Sequence, residues 1–519
     1  MIFGDNDTIA APATAAGGAL CMIRVSGPRA LEVCGTLFRG RTPLTSARAA
    51  TALYGRLVDG DGTVIDEAVV TPFRAPHSYT GEDSVEISVH GSSYIVRAVM
   101  QALVRAGARP AEAGEFTRRA FLTGRMDLAQ AEAVADMIAA SSRASHAVAA
   151  TQLRGAYSGQ LHALREELLR IMSLLELELD FSEEDVEFAD RTQLETLLRQ
   201  TCDKTSSLAA SFALGNALKE GVAVAIVGRP NVGKSTLLNR LAGEDRAMVS
   251  EIAGTTRDTI EAQINIGGVA YRFIDTAGVH RTRDTLELMG ISRTRQAIEK
   301  ARIVLWLTTP DDEAATYNTA TPHAEAALKR EFAAATGIGL GEGQVLYKII
   351  NKIDLLPNGG NNGAGITSET SAAGNAAAGD AGAASPAYRA EAADGAAGEA
   401  SPNMAAGTPH SGYTDGHTIR ISAKTGAGIQ ALAEALGSTV DATAAYRGEA
   451  IVTNQRHYHA LCEARTALEA ALDGLHNGLT SDLLSEDIRL AVNHLGEITG
   501  EITSADILQN IFSKFCIGK

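Results

Sequence analysis

The spacing of apolar residues changes character three times along this chain. Residues 1 to about 120 mix short β-rich runs, Ala19–Val25, Glu67–Pro72 and Ser84–His90, with turn signals and one helical stretch near Ser92–Arg105. That mixture predicts a compact α+β unit. Its expected loops carry Arg24-Val-Ser-Gly27, Ser78-Tyr-Thr-Gly-Glu-Asp83 and Gly114-Glu-Phe-Thr-Arg-Arg-Ala-Phe-Leu122. From Leu128 to Glu220 the period turns helical: AQAEAVADMIAA and LHALREELLRIMSLLELELDF repeat apolar residues at i, i+3, i+4 and i+7. Such stripes must be buried against something. The end of the chain supplies a partner, because Asn454–Asn477 and Leu483–Ile511 repeat the same period.

The expectation is therefore one helical body built from two separated segments, with an α/β unit inserted between them. In that insert the predicted strands are Val222–Val227, Gln263–Ile266, Val269–Ile274, Ile303–Leu307, Val345–Ile350 and Thr418–Ile421, with helical spacers. A sheet of this kind holds its ligand at the carboxyl ends of its strands. The boundaries read as 1–122 for the first unit, 123–220 and 446–519 for the two helical segments, and 221–445 for the insert. Between Pro357 and Thr418, at about 358–417, lies a Gly-, Ala- and Ser-rich run with too little large apolar surface to offset its ordering entropy. It is predicted to be a disordered loop.

At 519 residues the chain exceeds one core. Its net charge of −16 argues against broad nonspecific binding to nucleic acid, while leaving room for a local basic patch. Cys21, Cys34, Cys202, Cys462 and Cys516 are scattered without a CxxC pair, and read as reduced thiols. The N-terminus has acidic residues where a signal peptide has basic ones, and no window has the ~18 to 20 apolar residues of a membrane span. The expectation is a cytoplasmic protein with no membrane span.

The chemistry starts at Gly228-Arg-Pro-Asn-Val-Gly-Lys-Ser235, which follows a strand and opens a helix. In that context the glycines let backbone N–H groups converge on a phosphate, Lys234 reaches the β- and γ-phosphates, and Ser235 holds Mg²⁺. Gly254-Thr-Thr-Arg-Asp258 places Thr256 as the second Mg²⁺ ligand from a switch loop. Asp275-Thr-Ala-Gly278 supplies a water-mediated Mg²⁺ contact and an N–H that senses the γ-phosphate. Asn351-Lys-Ile-Asp354 ends a strand, and the Asp354 carboxylate can accept from both N1–H and the exocyclic amine of guanine, so the expected substrate is GTP. Ser422-Ala-Lys424 completes the base pocket. The candidate GTP-binding residues are Asn231, Val232, Gly233, Lys234, Ser235 and Thr236, then Ser250, Glu251, Ile252, Ala253, Gly254, Thr255 and Thr256, then Asp275, Thr276, Ala277 and Gly278, then Asn351, Lys352, Ile353 and Asp354, with Ser422, Ala423 and Lys424.

Two departures from the Ras pattern bear on hydrolysis. Val279 stands where Ras-type switches carry the water-positioning glutamine, so another group must act. Glu287 is the acidic candidate, although locally it also reads as a solvated helix carboxylate. Asn231 could ligate a monovalent cation near the phosphates, or could be a turn asparagine that tolerates an unusual backbone.

With those residues in view, the chain resembles the tRNA-modification GTPases of the MnmE (TrmE) family, within the TrmE-Era-EngA-like GTPases. The resemblance spans DNDTIAA, IRVSG, PHSYTGEDSVEISVHG, GEFTRRAFLTGRMDLAQAEAVADMI, LLELELDF, GRPNVGKSTLLN, IAGTTRD, DTAGV and the terminal Phe515-Cys-Ile-Gly-Lys519. It implies a multidomain α/β fold: an N-terminal α+β folate-binding and dimerisation domain, a discontinuous helical bundle and an inserted Ras-like P-loop G domain. It further implies a homodimer that works with the flavoprotein MnmG (GidA) in a heterotetramer or larger complex. That complex would install a carboxymethylaminomethyl or aminomethyl group at C5 of the wobble uridine, position 34, of certain tRNAs. 5-Formyltetrahydrofolate or a related tetrahydrofolate derivative would donate the one-carbon unit, with Mg²⁺ and K⁺ as cofactors.

By the same resemblance Asn231, Ser250, Ile252 and Thr255 hold K⁺, and Glu287 orients the attacking water through an intermediary, with Lys234 a further catalytic residue. Arg24, Glu82, Arg125 and Lys519 bind folate, and Cys516 is a candidate catalytic thiol. The chain departs from the family pattern at His280-Arg281, at Arg125, where lysine is common, and in the length of its Gly/Ala-rich insertion. A competing reading is a ribosome-assembly or other RNA-binding switch GTPase whose chemistry stops at GTP.

Overall fold

The structure, a computed structural model, describes residues 7–15, 17–180, 191–244, 262–274, 287–311, 325–356 and 417–518. The first unit contains β1 (Ile9–Pro12), β2 (Leu20–Ser26), α1 (Ala30–Leu37), β3 (Phe38–Gly40), β4 (Leu53–Val58), β5 (Val64–Phe73) and β6 (Ser84–His90). It continues with α2 (Ser93–Arg105), β7 (Arg109–Pro110) and α3 (Glu115–Leu122). The strands form one sheet ordered β3-β4-β5-β6-β2-β1-β7, antiparallel except where β1 meets β7. Alternation divides its faces. Ile23, Val25, Ala68, Val70, Val85, Ile87 and Val89 pack under Val33, Leu37, Val99 and Leu103 of α1 and α2. The charged members between them turn the other way, and the register sets Arg24 directly opposite Glu86.

Two expectations change here. Arg24 lies within β2 and not in a loop, since the β2–β6 ladder runs through Ser26. The EFTRRAFL segment folds as α3, because Gly114 adopts a left-handed φ of 66° that starts the helix and Phe116 and Ala120 bury on one face.

Five helices follow: α4 (Leu128–Ala139), α5 (Arg143–Leu153), α6 (Ala156–Asp180), α7 (Arg191–Ala210) and α8 (Phe212–Glu220). Capping boxes at Asp127/Gln130 and Ser142/Ser145 start α4 and α5, each satisfying two otherwise orphan backbone donors. The inserted unit then provides β8 (Val222–Val227), α9 (Lys234–Glu244), β9 (Ala262–Ile266), β10 (Val269–Ile274), α10 (Glu287–Lys300), β11 (Ile303–Thr308), α11 (Glu325–Thr336), β12 (Val345–Ile350), β13 (Thr418–Arg420) and α12 (Ile429–Thr439). Its sheet is ordered β13-β12-β11-β8-β10-β9 and is parallel apart from β9. Residues 357–416, which hold the expected Gly/Ala-rich insertion, lie outside the described residues.

The chain returns through α13 (Thr443–Tyr446), α14 (Gln455–His476), α15 (Ser481–Thr499) and α16 (Ala505–Phe512). The continuous period expected over Leu483–Ile511 breaks at Gly500. Its φ is 87°, and a Cβ there would stand 2.8 Å from the Phe121 ring. The stripes of α6 (Leu161, Leu164, Leu168, Ile171) and α7 (Leu194, Leu198) share one core with those of α14 (Leu461, Leu468) and α15 (Leu484, Ile488, Leu495). A buried polar contact ties α4 to α14. Burial alone pushes the Glu132 carboxyl up, but the His457 ring and the Arg456 guanidinium, 3.0 Å away, outweigh it and hold it down at about 2.

Both ends of the insert are clamped to the bundle. Ser211 Oγ accepts from the Val452 amide at 3.0 Å, and Gln152 Nε2 donates to the Ile451 carbonyl at 2.7 Å. Gly215 of α8 lets the Val452 carbonyl approach so closely that an added methyl would collide with it. The β9–β10 hairpin docks on the start of α5: the Ala144 amide donates to the Gly268 carbonyl at 2.9 Å, and Gln263 Nε2 to Ser141 Oγ at 2.6 Å.

Gly215→Ala should therefore lower the thermal melting temperature, at a cost of about 1–3 kcal/mol from overpacking. Gly159→Ala in α6, where nothing stands within 4 Å, should be neutral or stabilising by up to ~1 kcal/mol. Equal melting temperatures for the two variants would contradict the clamp.

Candidate functional site

The loop from Gly228 to Lys234 leaves the carboxyl end of β8, the strand with β11 on one side and β10 on the other. Gly228 approaches the neighbouring strand closely: a Cβ there would stand 2.5 Å from the Leu307 carbonyl oxygen. Asn231 sits on the loop's exposed edge with φ 63°, a left-handed conformation that asparagine tolerates better than most residues. Gly233, at φ 100°, leaves no room for a side chain because the Asn351 amide fills that space. Lys234 and Ser235 open α9, whose first-turn N–H groups face the loop. Burial pulls the Lys234 ammonium below its ordinary pKa, and it donates to the Gly228 carbonyl at 2.7 Å and the Arg229 carbonyl at 2.9 Å. An anion entering this cradle would exchange two neutral acceptors for a charged one, a stronger partner for an ammonium.

Asn351 joins this loop to the segments beside it. Nearly fully buried, it donates from Nδ2 to the Val232 carbonyl at 2.7 Å and accepts at Oδ1 from the Ala423 amide at 2.9 Å. The adjacent Lys352 takes φ 67°, which turns the chain into a 3-10 turn over Ile353–Leu355 and presents Asp354 to solvent. Ser422 Oγ donates to Asp354 Oδ1 at 2.7 Å, holding that carboxyl below the usual carboxylate range. An ionised, pre-oriented carboxylate is what a paired N–H donor edge requires. Lys424 is exposed beside it. Asn231, Val232, Gly233, Lys234, Ser235, Thr236, Asn351, Lys352, Ile353, Asp354, Ser422, Ala423 and Lys424 thus gather at one end of the sheet. Ser250 to Thr256, Asp275 to Gly278, Val279 and His280-Arg281 lie outside the described residues, and of Glu287 only the backbone, opening α10, is described.

A second site opens on the uncovered face of the first sheet. A cavity of about 530 Å³ is lined by Arg24, Phe73, Tyr79, Glu86, Arg125 and Gln130, among others. Arg24 grips Glu86 through Nη2 at 2.9 Å and lies over the Tyr79 ring at 4.5 Å. Glu82, expected among the binding residues, accepts from Ser26 Oγ at 2.8 Å and from Arg119 at 3.3 Å. Glu86, which was not among the expected residues, lines the cavity. The signal was present in SVEISVH, where period two sets Glu86 on the polar face between Val85 and Ile87, matching Arg24 between Ile23 and Val25. Gln130 was also missed; its Nε2 donates to the Leu153 carbonyl at 3.1 Å, so the α4 cap and the end of α5 form one wall.

The chain's tail joins the same unit. Ile517 bridges to Ala113, Gly518 packs so tightly on Pro12 that a Cβ would collide with its carbonyl, and Phe512 and Phe515 bury against Leu128 and Ala131. Cys516 is exposed, the five cysteines are free thiols, and Lys519 lies outside the described residues. A carboxylate, two guanidiniums, an amide and an aromatic ring around such a volume fit a flat polar heteroaromatic with an anionic tail. Among the described residues no His/Cys/Asp/Glu cluster could hold a metal, and no helix is long and apolar enough to cross a membrane.

Comparison with known proteins places the whole chain in one family. The family described as the MnmE helical domain matches residues 128–516, and that described as the GTP-binding protein TrmE N-terminus matches residues 8–125. A Bacteroides fragilis protein named tRNA modification GTPase MnmE is 44% identical over 520 residues, covering 99% of this chain and all of its own length. Proteins of the same name from Christiangramia forsetii and Bacteroides thetaiotaomicron are 44% and 43% identical, each over 99% of this chain and 99% and 100% of their own. Among solved structures, the G domain of the T. maritima FeoB iron transporter covers 42% of this chain and 99% of its own at 16% identity. Its TM-score of 0.21 is too low to carry an argument.

Asn351→Ala removes two buried hydrogen bonds that hold the phosphate loop against the Ser422–Lys424 segment. At ~1 to 1.5 kcal/mol each, guanine-nucleotide affinity should fall roughly 30- to 150-fold. Titration with a fluorescent GDP analogue reads this directly, and wild-type affinity in the variant would remove Asn351 from the site.

Proposed function

The chain belongs to the MnmE family of tRNA modification GTPases, and from that premise we propose that it hydrolyses GTP to drive modification of C5 of the wobble uridine of certain tRNAs. In this reading it acts as a homodimer with an MnmG-type flavoprotein and takes its one-carbon unit from a tetrahydrofolate derivative. The observation that carries the reading is the coexistence, in one chain, of a guanine-reading phosphate cradle and the Arg24–Glu86 cavity. A switch GTPase limited to GTP chemistry has no use for the second.

Asp354 reads the N1–H and exocyclic amine of guanine, while Lys234 and the first-turn amides of α9 hold the phosphates. The Ser235 hydroxyl, with Thr256 and Asp275, would hold Mg²⁺, which supplies charge neutralisation at the phosphates. Asn231, with Ser250, Ile252 and Thr255, would hold K⁺, and Glu287 would orient water. In the N-terminal cavity, Glu86 would accept from the amino and ring N–H pair of the pterin with Arg24 orienting it, Arg125 would pair with the folate's glutamyl carboxylates, and Lys519 is a further proposed folate ligand. Glu82, which Arg119 also meets at 3.3 Å, is a second proposed folate-binding carboxylate. Cys516, exposed on that tail, is the proposed thiol at the site.

In a strain lacking the gene, nucleoside analysis of tRNA should show unmodified wobble uridine. The wild-type gene should restore the modification, whereas Glu86→Gln should not. Full modification in the deletion strain would refute the function, and full rescue by Glu86→Gln would refute only the assignment of that carboxylate. Separately, GTP turnover should be at least several-fold faster in KCl than in NaCl at equal ionic strength. Equal rates would strip Asn231 of its cation role.

A further inference from the structure

The chain's acidity is unevenly distributed. The two segments that form and border the helical side of the first sheet, residues 27–50 and 91–111, carry seven arginines, four and three respectively, against one carboxylate, Glu32. Helix α2 itself contains no acidic residue. Its buried face is Val96, Val99, Ala102 and Leu103, and its outer face is a stripe of Tyr94, Arg97, Gln101 and Arg105 spaced by three, four and four residues. Tyr94 is 75% exposed.

Unlike Arg24 and Arg119, which are held by Glu86 and Glu115, Arg97 and Arg105 make no ion pair or hydrogen bond with the described residues. With no acidic residue along α2, no i,i+4 pairing on that helix offsets them. At 1.5 Å per residue the two arginines stand about 12 Å apart along the helix axis. That spans three to four nucleotide steps at roughly 3.4 Å of rise. Arg29, just past the end of α2 beside Gly107, is by contrast paired with Glu32 at 3.0 Å.

We propose that this outer face of α2 is a docking surface for the phosphate backbone of RNA, with Arg97 and Arg105 each on a phosphate and Tyr94 stacking on an unpaired base. The proposal rests on the tRNA reading above and adds the surface that reading lacks. Planar guanidiniums that no carboxylate neutralises form forked pairs with phosphate oxygens, and an exposed tyrosine at the stripe's end offers a ring to any base. The single large apolar side chain on that outer face besides Tyr94 is Val104, which gives a lipid surface little to hold.

The test is a fluorescence-anisotropy titration of the full-length chain with tRNA between about 50 and 200 mM KCl. Arg97→Gln/Arg105→Gln should weaken binding roughly 10-fold or more at the lower salt and reduce the slope of log K against log[KCl] by about 1.5 to 2. Tyr94→Ala should weaken binding about 5-fold or more without changing the slope. Arg56→Gln, on the opposite face of the sheet beside Glu67, serves as the control and should change neither. Melting curves exclude unfolding of the variants. An unchanged slope in the double variant overturns the proposal and leaves the family reading standing. So does loss of co-purification with the flavoprotein alongside wild-type tRNA binding, which would assign the face to protein. A wild-type chain that binds no tRNA at 50 mM KCl also overturns it, and nucleoside analysis of the deletion strain then judges the family reading on its own.

Discussion

Burial of two pairs of apolar stripes in one core is the constraint on which the architecture turns. Helices α6 and α7 cannot hide Leu164, Leu168, Ile171 or Leu198 from water by themselves, and α14 and α15 face the same problem with Leu468, Ile488 and Leu495. At ~1.5 to 3 kcal/mol for each large side chain removed from water, the shared core outweighs the entropy of closing a loop of more than two hundred residues. Closing it brings Ser211 and Gly215 against Val452. An α/β unit is thereby held at both ends, and a third attachment, the β9–β10 hairpin on the start of α5, restrains it further.

The same attachments connect the two candidate sites physically. Helix α5 contributes Ala144 and Val148 to the core beneath the inserted sheet, while the carbonyl of Leu153 at its other end accepts from Gln130 in the wall of the N-terminal cavity. Eleven helical residues, about 16 Å of backbone, therefore span from one unit to the other. Within the inserted unit Asn351 plays the corresponding part at short range. Its amide pins the phosphate loop on one side and the base-reading segment on the other, so each depends on the other's position.

Buried ion pairs show where this molecule accepts desolvation. Arg119, 4% exposed, meets Glu115 and Glu82, and burial's upward push on Glu115 is overcome by Arg109 and Arg119. Such clusters seldom stabilise more than a well-packed apolar substitute, but losing one member strands the others without compensation. Here the cluster fixes α3 against the loop before β6, the frame in which Arg24 and Glu86 face the cavity.

Local sequence determined much of this. The strand Val222–Val227, the hairpin around Gly267-Gly268, the helix ending at Arg105 and the order of the phosphate-loop and Asn351–Asp354 segments were all legible, because each depends on neighbours within a few residues. What sequence left open depended on contacts between distant segments. That Glu86 lines the cavity beside Arg24 was decided by the pairing of β2 with β6. The helical period through Leu483–Ile511 hid a break at Gly500, where the left-handed cap leaves no room for a side chain against Phe121, almost four hundred residues earlier. Gly215 reads as an ordinary helical glycine until Val452 arrives beside it. Periodicity and motif spacing are properties of one stretch of chain, whereas which side chains share a cavity is set by how separate stretches bury each other.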